Sequence, residues 1–499
     1  MKISLKVSKL SSLEADTLNF YFWEDEIEKG IRELPSEIQS EVRFAVKKED
    51  FKAKKEQSLI LSAKGLVSAY KILVLGLGNK NEFDIAVLID SIAKSVRMVK
   101  ELAAVKSGIV VSADLLNKLG VTPVIEAVTT AVKLADYRFN KYKSEDERFK
   151  ARPLEEVLLI IPASKLAAAE EGLIRGNIMS EATIYARDLV NEPPQLTTPA
   201  FIATEAIKIG KKSNSKIKVK VIEKQEIAKM GMNAFLGVAR GSDEEPKFII
   251  LNYKPADSRK KIALLGKGIT FDTGGLSLKP PASMETMKLD MAGAAAILGI
   301  FSVISELKTA VEVTGIIATC ENMPSGRALK PGDILKAYNG KSIEILNTDA
   351  EGRLTLADAI SYTVAKEKPD EMIDLATLTG ACMIALGQDI AGLFGNNETL
   401  LKNLETASSE TGELIWRMPL FKKYKELNKS KIADIKNTGT GKYAGAITAA
   451  LFLEEFVGNC AWAHLDIAGP AFMEKDTPLI AYGGSGFGVR LILHFLMSI

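Results

Sequence analysis

The chain has 499 residues, 47% hydrophobic and 26% charged, the composition of a globular protein too long for one ordinary core and so expected to form two domains. Its 65 basic and 63 acidic side chains leave a formal net charge of +2, which gives no electrostatic reason for nucleic acid or a membrane surface as partner. Cys320, Cys382 and Cys460 lack metal-type spacing and suit a reducing compartment. The opening "MKISLKVSKLSSLEADTLNF" has no secretory core, and the longest apolar run, 291–305, is shorter than the roughly 20 residues a membrane span needs. A cytoplasmic protein is expected.

The first part alternates strand-like and helix-like runs: "KILVLGLG" (71–78) as a strand, 85–104 as a helix, "EVLLIIPA" (156–163) as another buried strand. The "GLG" at 76–78 lacks the full dinucleotide fingerprint and reads as a tight strand-to-loop turn. A polar stretch, 140–153, reads as a surface loop before that domain's last strand. Residues 166–190 have helical composition, and "NEPPQLTTP" (191–199) stops the helix. This divides the chain into an N-terminal α/β domain (1–165), an inter-domain helix (166–190) and a larger C-terminal domain (191–499). In the latter, 248–253, 261–271, 313–320 and 372–378 read as strands, with helical segments near 290–307, 355–367 and 448–457. A doubly wound α/β sheet with helices on both faces is expected, with working residues at the carboxyl ends of strands.

Charged residues collect at such ends. In "NTDAEGRLTLADA" (347–359), Asp349, Glu351 and Arg353 occupy alternate positions and would share a face if the segment is extended. Capping of the following helix is the plain alternative. In "GKGITFDTGGLSLKPPASMETMKLD" (266–290), Lys267 ends an apolar run where an ammonium is costly to bury. Asp272 lies an odd number of residues away, so the glycines around it are expected to turn the backbone and bring the two together. Lys279 alone would be a solvated loop lysine, and Asp290 a helix cap. Together, Asp272, Asp290, Asp349 and Glu351 would repel one another severely unless cations compensate them, and divalent metal is the economical answer. Such ligands suit manganese or magnesium, and zinc also accepts oxygen; Lys267 would ligate only as the neutral amine. With only His464, expected to be structural, and His494, expected to be packing, histidine-based motifs have little material. No G-x-S-x-G elbow or complete phosphate loop is present, which leaves metal-dependent hydrolysis.

"NTDAEGRL" (347–354) resembles the signature of the leucyl aminopeptidase family, the cytosolic dinuclear-metal aminopeptidases. "RDLVNEPP", "GKGITFDTGG", "DMAGAAA", "DLATLTGA", "DIKN", "GAITAALFLEEFV" and "WAHLDIAG" also resemble family segments, in family order, over nearly all of 187–490. The first domain resembles the family in size and pattern alone. The resemblance implies a C-terminal catalytic domain with a mixed sheet sandwiched by helices. It implies that Lys267, Asp272, Asp290 and Glu351 hold one metal, and that Asp272, Asp349 with its main-chain carbonyl, and Glu351 hold the other. Lys279 and Arg353 would be the catalytic pair, the latter holding a bicarbonate that shuttles the proton. Met287, Thr377 and Gly380 match positions of the apolar pocket that prefers leucine. The implied function is removal of N-terminal residues from peptides with free amino termini in intracellular turnover, with Mn2+ or Zn2+, in a homohexamer. Some family members also bind DNA as hexamers, so a regulatory DNA-binding protein is the alternative. A phosphate-ester substrate is disfavoured, because only Lys267, Lys279 and Arg353 offer positive charge near the metals.

Overall fold

The structure, a computed structural model, describes residues 1–148, 153–307, 309–439 and 443–499. Residues 149–152 of the expected surface loop thus lie outside the described residues, and Glu145–Arg148 before them form one helical turn. Two compact units result: residues 1–180 with 409–412 and 476–481, and the remainder. The division at Ser180 falls inside a continuous helix, Leu166–Asn191.

Among the described residues the first unit has six strands: β1 (Lys2–Lys6), β2 (Thr17–Phe22), β3 (Ser58–Ser62), β4 (Lys71–Gly76), β5 (Lys106–Val110) and β6 (Glu156–Ile160). They lie in the order β1-β6-β5-β2-β4-β3, all parallel except β3, which runs antiparallel to β4. β4 and β6 are nearly continuous apolar runs, as strands covered on both faces must be. The turn at the "GLG" is confirmed by Gly78, whose φ is +74°.

The second unit contains β7 (Ile217–Glu223), β8 (Lys247–Tyr253), β9 (Lys260–Asp272), β10 (Val311–Asn322), β11 (Ile334–Lys336), β12 (Ser342–Glu344), β13 (Glu371–Ala376), β14 (Ala391–Gly395), β15 (Ile415–Arg417), β16 (Ile435–Lys436) and β17 (Ala461–Asp466). Eight of these form a mixed sheet, β15-β14-β17-β13-β9-β10-β8-β7, while β11, β12 and β16 form a small separate one. The four central strands β17, β13, β9 and β10 are parallel; β14, β8 and β7 introduce the antiparallel pairs. The two-domain α/β expectation and the mixed sheet therefore hold.

Helix α1 (Ala292–Val303) packs beneath this sheet, with all but Ser302 buried. It approaches unusually closely because its contact residues are glycines: a Cβ on Gly293 would lie 2.1 Å from the Leu375 carbonyl oxygen of β13, and one on Gly266 of β9 would lie 2.6 Å from the Gly293 carbonyl oxygen. With its flanking turns the stretch Pro281–Glu306 is long and apolar enough to cross a membrane, but 83% of its most apolar window is buried in the protein, as in a core helix. Helices α2 (Gly352–Tyr362), α3 (Gly380–Leu386) and α4 (Gly445–Val457) follow. A large core joins α2 and α4 to the sheet through Leu356, Ile360, Phe452, Phe456, Met372 and Trp462.

Candidate metal centre

All four central parallel strands end in polar residues at the same edge: Asp272 on β9, Asn322 on β10, Thr377 just after β13 and Asp466 on β17. In an open parallel sheet this edge is where ligands bind. Lys267 and Asp272 both belong to β9 itself, and no glycine turn separates them. Ile269 pairs with Cys320 and Asp272 with Asn322, so β9 advances three residues while β10 advances two. This β-bulge reverses the alternation and brings Asp272 onto the Lys267 side. The positive-φ glycines come afterwards: Gly274 (φ +85°) and Gly275 (φ +63°) fold the chain back so that the Lys279 N–H reaches the Thr273 carbonyl at 2.9 Å.

The Lys267 ammonium lies 2.8 Å from Asp290 Oδ1, 2.7 Å from Glu351 Oε1 and 2.8 Å from the Thr377 carbonyl oxygen. Asp290 sits on a tight helical turn, Met287–Met291, and does not cap α1; its Oδ1 also accepts the Thr377 hydroxyl at 2.7 Å. Lys279 is no solvated lysine: its ammonium bridges Asp272 Oδ2 at 2.9 Å and Asp349 Oδ1 at 2.6 Å. The segment around Asp349 is not extended. Asn347 Oδ1 accepts the Asp349 N–H, and Glu351 already has helical torsions at the start of α2, without making a side-chain cap. The turn therefore separates Asp349 from Glu351 and points Glu351 at Lys267. Arg353 is buried on α2 and donates to the Asn437 carbonyl at 2.8 Å.

Ligand atoms of Asp272, Asp290 and Glu351 lie within 4.8 Å of one another, and all three residues are buried. Asp349 stands outside this trio, joined to it through Lys279. Burial first, then the neighbouring Glu351 carboxylate, pushes the Asp272 carboxyl up to about 6, against the pull of Lys279 and Lys267. Burial likewise raises Asp290 and Asp349. Burial also acts on Glu351, but Lys267 and Lys279 outweigh it and hold that carboxyl below its usual range. Both lysines stay above their ordinary values because the carboxylates offset the burial penalty. Burial lowers Arg353 to about 10, opposed by Glu351 and Asp466.

A divalent cation fits this donor set. Asp290 Oδ2 and Glu351 Oε2 are buried without a hydrogen-bond partner, and a buried unpaired carboxylate oxygen is expensive unless a cation takes it up. Hard oxygen donors in such a cluster are the preference of Mn2+ and Mg2+.

Thr377 touches Asp290, while Met287 and Gly380 each lie three residues from one of that pair. Met287 is half-buried, and Gly380 begins α3 at an exposed position where a Cβ would meet nothing within 4 Å. Sequence reasoning missed Asn322, whose amide donates to Asp272 Oδ1 at 2.8 Å and to the Thr348 carbonyl at 3.0 Å. It also missed Asn437, which holds the 346–350 loop through Leu346 N–H and the Asn347 carbonyl, and Asp466. The available signal was a polar residue closing an apolar strand in "IIATCEN" and "AWAHLD". His464 is structural, as expected: buried, with Nδ1 2.6 Å from Asp374 Oδ1, whose other oxygen accepts the Trp462 indole N–H.

The sequence model of the cytosol aminopeptidase family, catalytic domain, matches residues 184–493, and that of the family's N-terminal domain matches residues 20–146. The chain belongs to the cytosol aminopeptidase family. Similar relatives include a probable cytosol aminopeptidase of Sulfurihydrogenibium sp. (strain YO3AOP1), 40% identical over 100% of this chain and 98% of that protein. Another, from Gloeobacter violaceus, is 43% identical over 93% of each. Among solved structures, a tomato leucine aminopeptidase mutant superposes with a TM-score of 0.89 at 33% identity, covering 100% of this chain and 97% of that one. The bottromycin maturation enzyme BotP in complex with Mn gives 0.83 at 31%, covering 97% and 99%. As a member of the cytosol aminopeptidase family the chain is a peptidase hydrolase, a metal-dependent aminopeptidase.

Proposed function

We propose that this aminopeptidase uses two divalent ions to remove leucine and other apolar residues from the amino termini of peptides, in cytoplasmic peptide turnover and as a homohexamer. Lys267, Asp272, Asp290 and Glu351 would hold one ion; Asp272, Asp349 and Glu351, with the Asp349 carbonyl, would hold the other. The observation that carries the reading is the buried Asp272–Asp290–Glu351 trio with its unpartnered oxygens. Bound there, Mn2+ or Zn2+ would supply a nucleophilic water near neutral pH and polarise the scissile carbonyl.

The chain's own residues account for the rest. Asp290, fixed by Lys267 and Thr377, presents a carboxylate to the substrate's free α-ammonium, which restricts cleavage to the amino-terminal residue. Lys279 remains protonated in its acidic surroundings and stabilises the oxyanion that develops at the carbonyl. Arg353, even lowered by burial, stays protonated near neutral pH, so it serves as an anion holder and not as a base; a bicarbonate bound to it would carry the proton. Met287, Thr377 and Gly380 would line the pocket for the apolar side chain. Met287 supplies the adaptable apolar wall, and Gly380 leaves room at the start of α3. Lys267 would hold an ion only as the free amine, so its proton would have to leave.

The test compares leucine p-nitroanilide with its N-acetylated counterpart, in chelator-treated enzyme with and without added Mn2+. Turnover of the free-amine substrate alone, restored by Mn2+, is expected. Equal cleavage of the acetylated substrate would refute the amine clamp, and full activity in metal-free enzyme would refute the metal centre.

A further inference from the structure

Asp466, the last residue of β17, is fully buried and accepts four hydrogen bonds. Its Oδ1 takes the N–H groups of Leu378 at 3.2 Å, Thr379 at 3.3 Å and Ala468 at 3.3 Å, and its Oδ2 takes the Thr379 hydroxyl at 2.6 Å. The Thr379 hydroxyl in turn accepts the Cys382 N–H at 3.0 Å and so caps α3. Two residues earlier stands Thr377, whose carbonyl receives Lys267 and whose hydroxyl binds Asp290. The 377–379 turn thus faces the metal-ligand cluster with Thr377 and is pinned from behind through 378 and 379. Among the described residues no other side chain accepts from the Leu378 and Thr379 amides.

We propose that Asp466 is a positioning residue of the metal centre: it fixes the 377–379 turn, and through Thr377 sets how Lys267 and Asp290 stand to one another. This rests on the metal-centre reading above. The requirement is for a carboxylate in particular. An asparagine there must turn its NH2 either to the three N–H donors or to the Thr379 hydroxyl, which can accept it on its second lone pair but whose own O–H then loses its buried acceptor. The first orientation sets donor against donor and the second leaves a buried hydroxyl hydrogen unpaired, so the turn loosens although the side chain keeps its size. Outer partners of metal ligands orient them in this way, and their loss typically lowers metal affinity or activity about 10- to 100-fold.

The experiment uses full-length Asp466→Asn, Thr379→Val and Thr379→Ser. It measures Mn2+ affinity by competition with a chromogenic chelator, kcat and KM for leucine p-nitroanilide, and amide exchange of Leu378 and Thr379 in the metal-free proteins. Asp466→Asn is expected to lose about 10- to 100-fold in Mn2+ affinity and to exchange faster at both amides. Thr379→Val is expected to move the same way by less, while Thr379→Ser, which keeps the hydroxyl, stays within about twofold of wild type. The double variant Asp466→Asn/Thr379→Val should lose no more Mn2+ affinity than Asp466→Asn, because the Asp466–Thr379 contact is already broken in the single variant, while loss of the α3 cap shows separately in the melting temperature. A folded Asp466→Asn protein with wild-type Mn2+ affinity and exchange would overturn the inference, even if its melting temperature falls. Should that variant not fold, indistinguishable Thr379→Val and Thr379→Ser proteins would overturn it instead. Failure of the metal-centre reading looks different: wild type itself takes up no Mn2+, whereas the exchange rates still report on the grip of Asp466.

Discussion

The substitution Gly352→Ala separates catalytic geometry from folding in one experiment. Gly352 opens α2, and its φ is not in the left-handed region, so alanine is conformationally welcome and favours the helix by about 1 kcal/mol. The new methyl, however, would stand 2.5 Å from Lys267 Cε, 2.7 Å from Nζ and 2.8 Å from Cδ. To reach an ordinary contact of 3.4 Å the lysine end must retreat by about 0.9 Å. It is held by Asp290, Glu351 and the Thr377 carbonyl at 2.7–2.8 Å, charge-assisted bonds worth about 1.5–3 kcal/mol each. Weakening them while gaining helix propensity leaves a net loss of roughly 1–2 kcal/mol, too little to unfold a protein of this size. A misplacement of about 1 Å at a catalytic group costs about 100-fold in rate, or roughly 2.7 kcal/mol of barrier. The expected result is therefore a folded enzyme with a near-native melting curve, kcat/KM for leucine p-nitroanilide down about 100-fold, and weakened Mn2+ binding. Activity within about threefold of wild type would refute the reasoning, because it would mean that Lys267 can move without consequence.

Replacing Asn322 by alanine removes the amide that holds Asp272 Oδ1, and kcat/KM should fall about 10- to 100-fold; Asn322→Asp should be worse, since it sets a carboxylate against Asp272. Chelation should abolish turnover and lower the melting temperature, with Mn2+ at 100 times its dissociation constant returning about 2.7 kcal/mol, read by calorimetry. Around His464, burial disfavours the imidazolium, but Asp374 more than offsets it and raises the folded-state pKa above 6.5. Stability from that pair is complete below the unfolded value of about 6.5 and is lost as pH rises through the higher folded value. The melting-temperature advantage of wild type over His464→Gln should accordingly be largest near about pH 6 and shrink toward about pH 9; an advantage that grows with pH would contradict the sign.

Strands buried on both faces announce themselves in sequence. "FIILNY", "KIALLGKGITF" and "VTGIIATC" are such runs, and they appear as β8, β9 and β10 within two residues at every end. Lys267 stood out for the complementary reason, that a charge at the end of an apolar run needs an explanation, and Asp272, Asp290, Asp349 and Glu351 because four carboxylates at strand ends or helix starts of one domain call for a compensating cation. What could not be read was anything fixed by a partner far along the chain. The bulge that aligns Asp272 with Lys267 exists only in the pairing of β9 with β10. The extended reading of 347–353 failed because an asparagine-to-backbone bond inside the loop, with Asn437 holding it from a distant strand end, turns the chain before α2. Asn322 and Asp466 are ordinary polar residues until the sheet sets them beside Asp272 and Thr379.

The glycine contacts between α1 and the strands β9 and β13 have an evolutionary corollary. Where two elements meet through side chains, a lineage can swap a larger residue for a smaller one and let a neighbour compensate. Here peptide group rests on peptide group, and there is nothing to trim or refill. Asp290 precedes that helix and Lys267 lies in one of the strands it touches, so backbone thickness sets the spacing of the two chain segments that carry these groups. A side chain added at Gly266 or Gly293 would push helix and strand apart, and with them the segments that carry the charged centre.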